Sequence, residues 1–340
     1  MIRKKLIFTI LVLFSCFSLW SSFILPTENR WSSKTPLYQI LEAFGETLPD
    51  HARNNADETT IKRGYDLIHY GRTIGPNGKK SKYISKFYAC TSCHNQQRED
   101  PHLVNLDPQK RLEYALANDL KFLQGSTFYG IANRETWYND DYYLKYGDLV
   151  QPAMNSLAEA TQLCATVCSS GRLLLDWELE AILAYYWNNQ LTLGDLALDE
   201  LELTKVLKTP ASERPEMIKM LKSKYSQKSP ANFGKVPDDK SLGYSLKGDA
   251  ENGKAIYRLS CLACHQKEGV AGMTLTPNQL TFRKFKKNLT KEGVYNIYDI
   301  VRIGTYTDQG KPRYMPHYTK DRMSNQQIED LRSYILEEAN

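Results

Sequence analysis

The chain has 340 residues, enough for two ordinary domains and a leader and too many for one small module. Hydrophobic residues make up 41% and charged residues 24%, which excludes a disordered or collagen-like chain. The net charge of +5, from 44 Lys and Arg against 39 Asp and Glu, is too balanced to point to nucleic acid. Residues 31–195 carry 16 basic and 20 acidic side chains, and residues 247–340 carry 15 and 11. The two parts therefore present fields of opposite sign to a docking partner.

Arg3, Lys4 and Lys5 precede an uncharged run from Leu6 to Leu25. A basic start followed by an apolar run is an export signal. The run is 20 residues long, which also suffices to cross a bilayer as a helix. Leu13-Phe14-Ser15-Cys16 adds a third reading, since it resembles a bacterial lipoprotein signal with Cys16 as the acylated first residue. Residues 1–30 are thus a cleaved signal, an anchor or a lipoprotein signal. Each places the rest in the periplasm or on the outer side of a bacterial inner membrane, the last two as a membrane-tethered protein.

Seven cysteines follow an informative pattern. Four of them fall in Cys90-Thr91-Ser92-Cys93-His94 and Cys261-Leu262-Ala263-Cys264-His265, and C-x-x-C-H is the attachment signature of c-type haem. Two thiols three positions apart on a helical turn can each add to one haem vinyl group. The adjacent histidine then offers its imidazole to the iron. Two covalently attached c-type haems are expected, with motifs 171 positions apart and one haem per domain.

Each motif follows a helical stretch with a glycine and an aromatic residue, around Gly64-Tyr65 and around Gly253 and Tyr257. Each domain closes with an amphipathic helix. One starts at Asp176 with Trp177, Ile182, Tyr185 and Tyr186; the other starts at Ser324 with Gln327 in a capping-box pattern. Crossing N- and C-terminal helices around a haem resemble class I cytochromes c. The expected fold is mainly α with little β: two cytochrome c-like haem domains in tandem. They span residues 31–195 and 247–340, joined by a Lys-, Ser-, Pro- and Asp-rich linker at 196–246 with one short helix.

In the second domain Tyr314-Met315-Pro316-His317-Tyr318 precedes the terminal helix, as the Met-Pro loop does in class I cytochromes c. Met315 is the expected distal ligand, with His317, Met273 and Met323 as alternatives. A thioether there raises the haem potential and suits electron transfer.

The first domain has no such loop. Its corresponding stretch, Leu163-Cys164-Ala165-Thr166-Val167-Cys168-Ser169-Ser170-Gly171-Arg172, is similar to the Cys-x7-Arg segment of dihaem thiosulfate dehydrogenases. Gly71-Arg72-Thr73-Ile74-Gly75-Pro76, the Ala89-to-His94 string and Tyr129-Gly130-Ile131-Ala132-Asn133-Arg134 resemble the same family. That resemblance implies Cys164 as a thiolate haem ligand and Arg172 as an anion contact. Cys168 departs from the pattern as an extra thiol. A Cys164–Cys168 disulfide, or ligation by Cys168, Met154, His69 or His102, are the competing readings of the distal position.

A thiolate lowers haem potential and Met raises it, so the pair sets a downhill path from the first haem to the second. On the family resemblance, Cys164 would take part in coupling two thiosulfate anions to tetrathionate, with Arg72, Arg172 and Lys80 as anion contacts. Electrons would leave through both haems to a redox protein partner. The competing function is a tethered, non-enzymatic carrier between a quinol-oxidising complex and a terminal oxidase. For that role the basic run Arg283, Lys284, Lys286 and Lys287 suits an acidic partner. A dihaem peroxidase is the third reading.

Overall fold

The computed structural model describes residues 31–293, 295–305 and 315–340. The leader, with Cys16, lies outside them, as do residues 306–314 of the loop ahead of Met315. Helices dominate. Among the described residues strand pairing is limited to the isolated bridges Pro36–Thr192 and Ile74–Lys80, as expected for a mainly α, cytochrome c-like fold. No helix among the described residues is long and apolar enough to cross a membrane.

The first half contains α1 (Leu37–Ala43), α2 (Glu58–Tyr70), α3 (Pro108–Ala117), α4 (Asp140–Tyr146), α5 (Leu157–Leu163) and α6 (Asp176–Asn188). Asp57 caps α2 by accepting from the Thr60 amide, and Gly71 ends it in the left-handed region at φ 68°. Helices α2 and α6 cross on Gly64, where any Cβ would overlap the Ala181 carbonyl. Leu67 and Ile68 of α2 and Ala181, Ile182 and Leu183 of α6 are buried in the core behind that crossing.

Residues 196–246 hold two helices rather than one, α7 (Glu200–Lys208) and α8 (Arg214–Lys222). Val206, Met217, Leu221 and Tyr225 bury themselves in the first core, which fixes this stretch against the first half.

The second half repeats the plan with α9 (Ala250–Ile256), α10 (Gln279–Asn288), α11 (Ile297–Arg302) and α12 (Asn325–Glu338). Here α9 and α12 cross on Gly253, whose Cβ would overlap the Asp330 carbonyl. Ser324 and Gln327 form the capping box that starts α12. This second core also takes in Leu112 and Ala115 of α3, then Leu120 and Phe122, so residues 31–195 contribute to both cores. Paired side-chain amides of Gln109 and Asn252 add to that contact.

Candidate haem-binding sites

The chain leaves α2 at Gly71 and returns through Ile84 to a tight turn at Cys90–Ser92, followed by Cys93 and His94. Gly71, Ile84, Cys90, Cys93 and His94 line a largely apolar cavity. Cys90 and Cys93 are unbridged. Burial pushes the Cys90 thiol up to about 11 and the Cys93 thiol higher still.

His94 Nδ1 lies 2.6 Å from the Ser126 carbonyl, and its ring stacks on Phe128 at 4.5 Å. Donation from Nδ1 to that carbonyl leaves Nε2 as the free lone pair, the arrangement that orients a metal-bound imidazole. Gly125 is required here, because a Cβ would sit 2.5 Å from the ring. The thiol pair, the oriented imidazole and the apolar cavity together fit a covalently attached haem.

Cys164 and Cys168 line the same cavity on an irregular, π-type turn that follows α5. They are unbridged. The two sulfurs share a hydrogen bond that raises the Cys164 thiol and lowers Cys168. Tyr146 and Tyr138 donate to Cys168, the former at 3.9 Å, and Lys145 adds positive charge. Of the two sulfurs, Cys168 is the one whose surroundings favour the charged form. Tyr138, Tyr142, Arg134 and, from the second half, Pro316, His317 and Thr319 complete this part of the wall.

The second motif follows α9 through another π turn, Tyr257–Cys261. His265 Nδ1 lies 3.1 Å from the Met273 carbonyl, which again directs Nε2 outward for a ligand. Burial pushes Cys261 up to about 12. The backbone of Met315 is pinned to Thr305: its amide donates to Thr305 Oγ1 at 2.7 Å, and the Thr305 amide donates to its carbonyl at 3.0 Å. Phe122 of the first half braces the motif, its carbonyl accepting from Ser260 Oγ at 2.9 Å and Tyr318 Oη at 3.0 Å. The two motifs touch, since the Cys264 thiol donates to the Ser92 carbonyl at 3.8 Å.

Several residues singled out in the sequence lie elsewhere. Arg172 is spent on buried Glu178 in a two-pronged pair at 2.7 Å and donates to the carbonyls of Lys82, Tyr83 and Leu173. Arg72 stacks on Tyr83 at 4.0 Å. Neither arginine lines the haem cavity; Arg172 and Lys80 border a separate surface hollow. His69 is satisfied by the Tyr65 carbonyl at 2.8 Å and, like His102 and Met154, is absent from the cavity wall. His317 accepts from Lys145 Nζ at 2.7 Å and faces the first cavity.

Sequence reasoning did not single out Arg134 or the tyrosines Tyr138, Tyr142 and Tyr146 as site residues. The tyrosines recur every fourth position, the spacing of one helix face. Arg134 ends the Tyr129–Arg134 stretch already noted for its family likeness.

Residues 248–335 match the family described as cytochrome c oxidase, cbb3-type, subunit III. A cytochrome c6 from Gloeothece citriformis is 35% identical over 95 residues, covering 28% of this chain and 76% of that protein. A cytochrome c6 from a Nostoc species is 30% identical over the same length, with the same coverage. The chain belongs to the c-type cytochromes. As a member it carries covalently bound haem, transfers electrons and works with redox protein partners.

Proposed function

We propose that this cytochrome carries two haems, one at Cys90, Cys93 and His94 and one at Cys261, Cys264 and His265, and that its first half oxidises a sulfur oxyanion such as thiosulfate. The observation that carries the reading is the placement of the Cys164–Cys168 pair in the wall of the first cavity. Bound there, haem supplies a one-electron couple whose potential follows its axial ligands. The thiolate on Cys168, with Cys164 hydrogen-bonded to it, supplies a ligand or a nucleophile for a sulfur substrate. Tyr138 and Tyr146 stabilise that negative charge by donating to it. Arg134 brings positive charge to the same wall. Coupling two thiosulfates to tetrathionate releases two electrons, and the 3.8 Å approach of Cys264 to Ser92 favours passing them to the second site.

Met315 is the proposed distal ligand of the second haem. Its pinning to Thr305 supports this, because a fixed backbone delivers the thioether without further ordering cost. The whole would be exported and tethered by the leader.

The test is haem content together with anaerobic addition of thiosulfate. The expected outcome is two haems per chain and reduction by thiosulfate alone, lost when Cys164 and Cys168 are both replaced by Ala. Reduction only by a protein donor would make the chain a non-enzymatic carrier, the alternative reading.

A further inference from the structure

A second cavity shares Ser126 and Arg134 with the first. Four arginines and three carboxylates line it, and their hydrogen bonds do not balance. Glu99 already accepts three bonds, from Arg322 Nη1 at 2.7 Å, Asn95 Nδ2 at 2.8 Å and the Thr127 amide at 2.9 Å. Arg322 spends Nη2 on the carbonyls of Leu123 and Gly125. What remains is an excess of donors. Nε and Nη1 of Arg111, Nε of Arg322 and the hydroxyl of Tyr225 have no hydrogen-bond acceptor among the described residues. The Arg111 Nη1 stands 3.8 Å from Glu99, close enough for charge but not for a hydrogen bond. Against these stands one unpartnered acceptor in this cavity, Asp100 Oδ2.

These groups are deeply buried: Arg111 is 2% exposed, Tyr225 4%, Arg322 and Asp100 6%. Buried donors that bind nothing are costly, and the four arginines of the lining outnumber its three carboxylates by one. A species that only accepts hydrogen bonds and carries negative charge satisfies both conditions, and an oxyanion is such a species. We propose that this cavity is an oxyanion-binding site set against the Gly125–Thr127 loop that holds His94. Because Ser126 lines both cavities and its carbonyl takes the His94 proton, an anion here places negative charge behind the first haem and lowers its potential. The site does not depend on the thiolate reading of Cys164 and Cys168.

The experiment is calorimetric titration of the oxidised holoprotein with sodium sulfate at constant ionic strength, with the first-haem potential followed in parallel. One saturable site is expected. Tyr225→Phe, which removes one donor and keeps the ring, should weaken it about five- to tenfold. Asp100→Asn, which removes the opposing carboxylate and keeps Oδ1 for the His102 amide, should tighten it. Absence of saturable binding would mean that water or a haem carboxylate satisfies these groups and would overturn the proposal. So would binding that neither substitution alters, which places the ion elsewhere. A potential that does not move on saturation overturns the link to the His94 loop.

Discussion

The two motif-bearing halves are built on one frame and closed differently. In each, two helices cross on a glycine, Gly64 or Gly253, and a histidine is held by Nδ1 to a backbone carbonyl. In the first half a π turn with two thiols and a tyrosine face close the cavity. In the second a Met-Pro segment is tied to Thr305. On the proposed two-haem reading, the frame accounts for attachment of haem, and the closing wall accounts for what each haem is used for. The halves are also fastened together, because α3 and Phe122 lie in the second core while Pro316, His317 and Thr319 line the first cavity.

The largest test of the shared frame is haem content. Replacing Cys90 and Cys93 together by Ala should halve the haem absorbance per chain, and replacing Cys261 and Cys264 should do the same. Unchanged absorbance in either double variant breaks the parallel.

Stability separates the halves next. Arg172→Met leaves Glu178, which has no exposure, with only the Leu175 amide at 2.9 Å against its charge, and should cost about 3–5 kcal/mol in chemical denaturation. The corresponding buried acid of the second half, Glu329, also accepts from Tyr298 Oη at 2.8 Å and the Tyr244 amide at 2.7 Å. Its arginine, Arg332, stands 3.6 Å away, so Arg332→Met should cost about 1 kcal/mol. Equal losses would remove this distinction.

The fastening between the halves should be sensitive to acid. Arg322 and Arg111 hold the Glu99 carboxyl down to about 2, against an ordinary 4.5, despite the opposing cost of its burial. A folded value below the unfolded one means that this contribution is complete above pH 4.5 and is lost as pH falls from 4.5 through about 2. Its size is about 3 kcal/mol. Unfolding followed against pH should show that loss in the native chain and not in Glu99→Gln.

A further effect concerns the crossings themselves. Gly64→Ala and Gly253→Ala should each cost about 1–3 kcal/mol, and by similar amounts, since each Cβ meets a backbone carbonyl of the partner helix. A difference of more than that range between them would mean that the two crossings are not equivalent.

Much of this frame is readable in the chain. The repeated C-x-x-C-H, the glycines ahead of each motif and the Ser324–Gln327 box are local signals, and each is decided by a few adjacent residues. What the sequence leaves open is tertiary. Leu112 and Ala115 make α3 amphipathic, but nothing local says that it enters the second core. The Lys- and Ser-rich stretch at 196–246 hides two helices because Val206, Met217 and Leu221 are sparse and acquire their meaning only on docking. The spacing from Cys164 to Arg172 matches a family segment, yet Arg172 is consumed by Glu178, a pairing fixed by how residues 82–84 lie against 172–173. The order of proton affinity between Cys164 and Cys168 depends on Tyr138 and Tyr146, which reach them from α4 and the chain just before it.

The comparison rests most heavily on the closing walls as proposed: a thiolate beside the first haem and a thioether beside the second. Low-temperature EPR of the oxidised protein, with the Cys164→Ala, Cys168→Ala and Met315→Ala variants, tests that directly. A low-spin thiolate-type signal is expected, abolished by Cys168→Ala, or by Cys164→Ala if that sulfur takes the iron, and retained in Met315→Ala. Two signals of His/Met or His/His type, unchanged by either cysteine substitution, would contradict the account and leave the two halves alike in their chemistry.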